Sequence, residues 1–103
     1  MRLLIAEDEP DLAEALAAFF EKNQFSVDTV GDGLAAYEYS ASGAYDAIIL
    51  DIMMPRLNGV EVLRRLREEG IHTPVMMLTA KGTEGRPHHR LQRGRGRLSA
   101  QAL

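Results

Sequence analysis

Cysteine and tryptophan are both absent from the 103 residues, and proline occurs only 4 times. Without cysteine the chain has no disulfide framework, no thiolate nucleophile and no cysteine-ligated metal. It also lacks a run of about 18 apolar residues, which excludes an ordinary membrane-spanning helix. The start, MRLLIAEDEP, is too short in its apolar part to be a signal peptide. A cytoplasmic protein without membrane association is therefore expected.

The composition fits one folded domain, since 46% of the residues are hydrophobic and 26% are charged. The charges are unevenly distributed along the chain. Residues 1–84 hold all 15 acidic and 7 of the 12 basic residues, a net charge of −8, whereas residues 85–103 hold 5 arginines and no acid. We therefore predict a folded domain over residues 1–84, followed by a flexible basic tail over residues 85–103.

Short apolar runs alternate with stretches of helical periodicity. The runs RLLIA (2–6), AIIL (47–50) and VMML (75–78) are unbroken, as in strands buried on both faces, and residues 25–30 alternate like a half-buried strand. Helices are predicted over residues 10–23, 34–42 and 60–69, the last with Val60, Leu63 and Leu66 facing the core. This order predicts an α/β fold with a doubly wound parallel sheet.

Acidic residues follow two of these apolar runs. Glu7 and Asp8 come directly after RLLIA, the first predicted strand, and Asp51 comes directly after AIIL, the third. In an open parallel sheet, ligands bind at the carboxyl ends of the strands, where the strand order reverses. If the first and third strands are neighbours, as in the flavodoxin-like order 2-1-3-4-5, the three carboxylates converge. Oxygen ligands of this kind suit Mg²⁺ completed by water or phosphate.

The sequence has neither a G-x-x-x-x-G-K-[ST] loop nor a G-x-G-x-x-G turn after a strand, so tight nucleotide binding is not supported. An aspartate can instead accept a phosphoryl group itself, with Mg²⁺ neutralising the surrounding charge. Asp51 is the better placed nucleophile because it follows the central apolar strand. Glu7 and Asp8 are adjacent in sequence and can share the ion, directly or through water.

Simpler interpretations exist for each of these residues. Glu7 and Asp8 would also stabilise the N-terminus of the first helix, where acids suit the helix dipole. Thr79 suits the end of a strand as an ordinary β-branched residue. The methionines are most simply packing residues. The arginines of residues 85–103 would support non-specific, salt-dependent binding of nucleic acid.

Three segments together carry a resemblance to a known family. LLIAEDEPDL, DAIILDIMMPRLNGVEVLRRLR and TPVMMLTAK occur in this order within residues 1–84. The chain thereby resembles the receiver domain of two-component response regulators, most closely the branch with a winged-helix DNA-binding effector. The resemblance implies a flavodoxin-like (CheY-like) fold. It also implies a phosphoacceptor in signal transduction, and no enzyme beyond the domain's own phosphorylation and dephosphorylation.

The resemblance also assigns roles to residues. It implies that Asp51 is the phosphoacceptor and that Mg²⁺ is held by Asp8 and Asp51, with Glu7 assisting and the backbone carbonyl of Met53 as a further ligand. It implies that the Thr79 hydroxyl turns toward the phosphoryl group. The donor would be a phosphohistidine on a sensor histidine kinase. DNA would be contacted only through an effector domain that is absent here.

The resemblance ends after Glu84. Receivers continue with a helix, a fifth strand ending in Lys-Pro and a last helix, and none of these is recognisable in residues 85–103. Lys81 is too close to the fourth strand to be that lysine. We therefore expect strand order 2-1-3-4, with the fifth strand and last helices missing or replaced. The fourth strand would be an open edge and the first-helix side of the sheet partly bare, which favours a homodimer or domain swap.

Residues 85–103 have a second interpretation at the level of the gene. With suitable synonymous codons, translating one base later converts them into EDRITGFNAGADDYLPKPF, which resembles the missing part of a receiver. We therefore predict that this segment is out-of-frame sequence. Two alternatives to a working receiver follow from the tail: a truncated receiver without signalling output, or a basic-tailed protein that binds nucleic acid non-specifically.

Overall fold

The computed structural model describes residues 1–80 and 98–102. Strands and helices alternate along the first of these segments, as the apolar runs predict. The elements, in chain order, are β1 (Arg2–Ala6), α1 (Pro10–Lys22), β2 (Ser26–Val30), α2 (Gly33–Ala41), β3 (Ala47–Asp51), α3 (Gly59–Glu68), β4 (Val75–Ala80) and β5 (Leu98–Ala102). Among the described helices, none has the length and apolar character that crossing a bilayer requires.

The sheet has the order β2-β1-β3-β4-β5. The first four strands are parallel, and Ala6 at the end of β1 lies opposite Leu50 near the end of β3. This confirms the flavodoxin-like order 2-1-3-4. The carboxyl ends of β1 and β3 therefore lie side by side, at the point where the strand order reverses.

The expectation that β4 forms an open edge is wrong, as is the expectation of an unstructured tail for residues 98–102. β5 pairs with β4 in antiparallel orientation, with Thr79 opposite Ser99. An antiparallel strand needs only a chain reversal, whereas the parallel fifth strand of a receiver needs a crossover connection. The sequence LSAQA also alternates apolar and polar residues, as a strand does. Residues 81–97, including Lys81 and the five arginines, lie outside the described residues.

The two faces of the sheet are covered to different extents. α2 and α3 cover one face, where a large buried cluster forms. On the other face, α1 packs over a smaller cluster, and a cavity of about 270 Å³ extends between Phe20 and β4. Met76 in β4 is 42% exposed. Among residues 1–80, α1 therefore covers this face of the sheet only in part.

Helix α3 confirms two of the three residues predicted to face the core, since Leu66 is buried and Leu63 packs against the main cluster. Val60, expected to face inward, is 55% exposed, whereas Gly59, Val62 and Leu66 are buried. The Asn58 side chain caps the helix by accepting a hydrogen bond from the Glu61 amide at 2.9 Å. The cap starts the helix at Gly59, and the side of the helix that packs on the sheet carries Gly59, Val62 and Leu66.

Candidate metal and phosphoacceptor site

Three carboxylates meet at the carboxyl ends of β1 and β3. Glu7 and Asp8 directly follow β1, and Asp51 is the last residue of β3. One carboxylate oxygen from each of these residues lies within 4.8 Å of the other two. The structure therefore brings together the three acids that strand pairing predicts to converge, and this group can hold a metal ion.

The three acids differ in exposure. Glu7 is 2% exposed and Asp51 is 1% exposed, whereas Asp8 is exposed to solvent. Glu7 and Asp8 line an open cleft of about 530 Å³ between α1 and the end of β2. An ion can therefore approach the group from the side of Asp8.

Backbone amides hold the two buried carboxylates. The Glu9 amide donates to Glu7 Oε2 at 2.8 Å, and the Met53 amide donates to Asp51 Oδ1 at 3.3 Å. Glu9 is the N-cap of α1, which begins with Pro10. The entry to the helix thus positions Glu7, so the helix-terminus interpretation of this acid is compatible with a role in binding a cation.

The donor set fits Mg²⁺. Its ligands are oxygens at about 2.0–2.1 Å, so two ligands on opposite sides of the ion lie about 4.2 Å apart. A largest separation of 4.8 Å between the carboxylate oxygens is close to this span. The group thus suits an ion bound directly by some of the acids and through water by another, as Mg²⁺ usually is.

The loop between β3 and α3, residues 52–58, extends the site. Met53 is 59% exposed, so its side chain does not pack in the core. Its backbone lies beside Asp51, because its amide donates to the Asp51 carboxylate. Gly59 closes the loop by donating its amide to the Ile52 carbonyl at 2.8 Å. A Cβ at Gly59 would overlap the backbone carbonyl oxygen of Asp51 and lie 3.1 Å from its carbonyl carbon, so only glycine packs here without displacing the strand end.

Gly33, the first residue of α2, also contacts this loop, and sequence reasoning missed it. Its amide donates to the Pro55 carbonyl at 3.1 Å. From the sequence, Gly31-Asp32-Gly33 predicts no more than a break between β2 and α2. A glycine inside the first turn of a helix is a poor helix former, which was the available signal of a close backbone contact.

Thr79 lies in β4, which is hydrogen-bonded to β3 next to Asp51. The Thr79 side chain lies outside the described residues, so its role as the switch hydroxyl stays a prediction. The backbone of Met53 is placed beside Asp51, and the role of its carbonyl as a metal ligand also stays a prediction.

Comparison with known proteins agrees with this geometry. A family model described as the response regulator receiver domain matches residues 3–96. The chain belongs to the response regulator receiver domain family. It is thus a signalling domain of two-component systems, with the receiver fold.

Two curated relatives are transcriptional regulatory proteins. DltR of Streptococcus agalactiae is 48% identical over 81 residues, which are 79% of this chain and 36% of DltR. TcrA of Mycobacterium tuberculosis is 45% identical over 82 residues, which are 80% of this chain and 32% of TcrA. The receiver thus spans about a third of the length of the curated relatives that it matches.

Two solved receivers share the fold. The receiver domain of the Francisella response regulator 1452 superposes with a TM-score of 0.75 at 32% identity, covering 90% of this chain and 77% of that one. The receiver domain of a sensor histidine kinase from Pseudomonas aeruginosa gives a TM-score of 0.74 at 31% identity, covering 88% and 76%. The latter structure has a magnesium ion coordinated in its active site cleft.

Proposed function

We propose that this receiver takes a phosphoryl group from a phosphohistidine of a sensor histidine kinase onto Asp51. The observation that carries the proposal is the convergence of the carboxylates of Glu7, Asp8 and Asp51 at adjacent strand ends. Asp51 is the acceptor because it ends a central strand, is almost fully buried and is held by the Met53 amide. A fixed carboxylate meets the positioning that phosphoryl transfer demands.

The transfer exchanges one bond for another. A carboxylate oxygen of Asp51 attacks phosphorus, the bond between phosphorus and the histidine nitrogen breaks, and the nitrogen keeps the electron pair. Slow hydrolysis of the aspartyl phosphate by water then returns the free carboxylate and inorganic phosphate. The donor set for Mg²⁺ is Asp8, Asp51 and the Met53 carbonyl, with Glu7 assisting. When bound, the ion neutralises the charge of the acids and of the transferred group. The Thr79 hydroxyl is proposed to turn toward the phosphoryl group.

The output of the protein is proposed to be control of transcription through an effector domain outside this chain. The support is that the curated relatives are transcriptional regulators about three times as long as the matched part. A cytoplasmic location follows from this role. A homodimer or a domain swap through the partly bare sheet face is a further part of the proposal.

For residues 85–103 we keep the proposal of an out-of-frame segment. The matches to curated relatives extend over only 81 or 82 of the 103 residues, which is compatible with a segment foreign to the family, whereas the family model matches as far as residue 96. Sequencing the gene through this codon tests the idea. A neighbouring frame that does not encode EDRITGFNAGADDYLPKPF would refute it.

The experiment for the proposed function uses a small acyl phosphate as the phosphoryl donor, with Mg²⁺ present. We expect a mass gain of one phosphoryl group, lost in Asp51→Asn and on chelation of the metal. Asp46→Asn is the matched control, because Asp46 is an exposed aspartate near the opposite end of β3. A mass gain that survives in Asp51→Asn would contradict the assignment.

A DNA-binding measurement tests the alternative of a basic-tailed protein that binds nucleic acid non-specifically. DNA binding that weakens steeply with salt and is lost when the five arginines of residues 85–103 are replaced by glutamine would favour it. A protein that takes up no phosphoryl group and shows no such binding would correspond to the truncated receiver without output.

A further inference from the structure

Gly33 lies between α2 and the loop that follows Asp51. It is buried, and its amide donates to the Pro55 carbonyl at 3.1 Å. The same carbonyl accepts the Leu57 amide at 2.8 Å. Pro55 is therefore a point where the loop of residues 52–58 is attached to a neighbouring helix.

The contact leaves no space for a side chain on Gly33. A Cβ built there would overlap the carbonyl oxygen of Leu57 and lie 2.8 Å from the Leu57 Cβ. Gly31, two residues earlier, has nothing within 4 Å of the corresponding position. Neither glycine is among the residues with positive φ. Neither substitution therefore places a side chain on a left-handed backbone, and the two positions differ in the space available to a Cβ.

Any side chain at Gly33 must displace either α2 or the loop. α2 is the more firmly held of the two, since Ala36 and Ser40 are at most 1% exposed and the Asp32 side chain caps the helix through the Ala35 amide at 2.8 Å. The loop presents Met53 and several neighbours to solvent. We therefore expect the loop to move, because close-packed interiors resist displacement more than exposed loops do.

A movement of the loop reaches Asp51 directly. The Met53 amide donates to Asp51 Oδ1 at 3.3 Å, and the Ile52 carbonyl accepts the Gly59 amide. Met54 is 8% exposed and belongs to the main core cluster. The loop is thus anchored at residues 52–54 and again at Pro55. Because of these contacts, the loop backbone cannot shift at Pro55 without also shifting the residues next to Asp51.

We infer that Gly33 is a positioning residue for the metal and phosphoacceptor site. It fixes residues 52–58 from the side of α2, through its hydrogen bond to Pro55 and its lack of a Cβ against Leu57. This holds the backbone of Met53 in place beside Asp51. The link to the metal rests on the proposed function, in which the Met53 carbonyl is a ligand.

The test compares Gly33→Ala with Gly31→Ala in the full chain. Backbone amide NMR spectra, recorded during a Mg²⁺ titration, give the dissociation constant and report on each loop residue. Gly33→Ala should weaken Mg²⁺ binding about tenfold to a hundredfold, the range for disturbing groups that orient metal ligands. In the ion-free protein, amides of residues 52–58 should exchange faster with solvent. Gly31→Ala, whose added methyl group has nothing within 4 Å, should leave the exchange of residues 52–58 unchanged.

A second measurement needs no substitution, and it decides the question if Gly33→Ala does not fold. Mg²⁺ should slow hydrogen exchange of the Gly33 amide, because binding and the Gly33 contact stabilise the same loop position and such coupling is reciprocal. The Gly43 amide, which donates to the Ser40 carbonyl at 3.1 Å just beyond the other end of α2, is the control. Its exchange should not respond to Mg²⁺.

The outcomes separate this inference from the proposed function. Unchanged Mg²⁺ affinity and unchanged loop exchange in Gly33→Ala would overturn the inference, as would an Mg²⁺-insensitive Gly33 amide. An unmodified protein that binds no Mg²⁺ would refute the proposed function instead. In that case, loop exchange that is faster in Gly33→Ala but not in Gly31→Ala would still support the positioning of the loop.

Discussion

Near the amino end of the sheet, Asp28 forms an ion pair with a cationic side chain. At the carboxyl end, the three carboxylates of Glu7, Asp8 and Asp51 lie close together. The Arg2 guanidinium lies 2.9 Å from Asp28 Oδ2, and the Tyr45 hydroxyl donates to the same oxygen at 2.6 Å.

The Arg2 guanidinium also lies over the Tyr45 ring, 4.8 Å from its centroid. The amino end therefore balances its charge within the protein, and this arrangement contributes to stability. The carboxyl end brings three carboxylates within 4.8 Å of one another, an arrangement that suits a bound cation. Acids at strand ends thus indicate function when the fold brings several of them together.

The largest expected effect is the stabilisation of the folded protein by Mg²⁺ bound at the carboxyl end of the sheet. At a concentration 100 times the dissociation constant, the ion should raise the free energy of unfolding by about 2.7 kcal/mol. Asp8→Asn should remove most of this gain, because Asp8 is the exposed acid of the group. The measurement is urea unfolding with and without Mg²⁺. Arg2→Gln, at the other end of the sheet, is the control and should keep the full gain.

An equal Mg²⁺ gain in Asp8→Asn and the unmodified protein would place the ion elsewhere. The contrast between the two ends of the sheet would then lose its functional meaning.

The acids of the carboxyl end were predictable because they follow from a general property of parallel sheets. Glu7, Asp8 and Asp51 each come just after, or at the end of, an apolar run, and one assumption about strand order brings them together. The amino-end cluster was not predicted. Arg2, Asp28 and Tyr45 are far apart in sequence and follow no periodic pattern, so only strand pairing brings them together.

Other features could also not be predicted from the sequence, among them the close approach of Gly33 to the loop after Asp51 and the pairing of β5 with β4. The Gly33 contact depends on where two backbones pass each other, which no local pattern encodes. The exposure of Val60 depends on which side of α3 packs against the sheet, which the apolar spacing in its first turn does not fix. β5 was missed because its segment follows a stretch with no sustained pattern, although its five residues alternate.

The second prediction concerns Tyr45 at the amino end. Burial, followed by the hydrogen bond to Asp28, raises the pKa of Tyr45 to about 12 from the ordinary value of 10.0. Because the folded-state pKa lies above the unfolded one, the stabilisation is fully present below pH 10 and is lost as the pH rises toward 12. Tyr45→Phe should cost about 1 kcal/mol at pH 8, the usual contribution of one hydrogen bond.

Denaturant unfolding of both proteins between pH 8 and about 12 checks this. The difference between them should shrink as the pH rises, and Mg²⁺ affinity should be the same in both. A Tyr45→Phe protein with altered Mg²⁺ affinity would show that the two ends of the sheet are coupled.

One non-glycine residue near each end of the sheet has a left-handed backbone conformation. Gln24, before β2, has φ 74°, and Arg56, after β3, has φ 71°. The left-handed conformation costs a residue with a side chain about 1–2 kcal/mol, and glycine loses about 0.5–1 kcal/mol through its greater freedom in the unfolded state. Gln24→Gly and Arg56→Gly should each raise the free energy of unfolding by about 0.5 kcal/mol. Only Arg56→Gly should change Mg²⁺ affinity, since only Arg56 lies in the loop after Asp51. Equal Mg²⁺ affinities in both variants would argue against a mechanical link between that loop and the metal.

The smallest expected effect is that of the Arg2–Asp28 ion pair itself. Its side chains are 48% and 44% exposed, so water and salt screen the attraction. Arg2→Gln should lower the free energy of unfolding by only a few tenths of a kcal/mol, and less at high salt. The charge of Arg2 nevertheless lowers the pKa of Tyr45 against the larger effects of burial and Asp28. Ultraviolet titration of Tyr45 in the Arg2→Gln protein should therefore show a phenol pKa above that of Tyr45 in the unmodified protein. A pKa that moves down would mean that Arg2 acts on Tyr45 mainly by covering its ring, and that the amino end balances its acids by packing and not by charge.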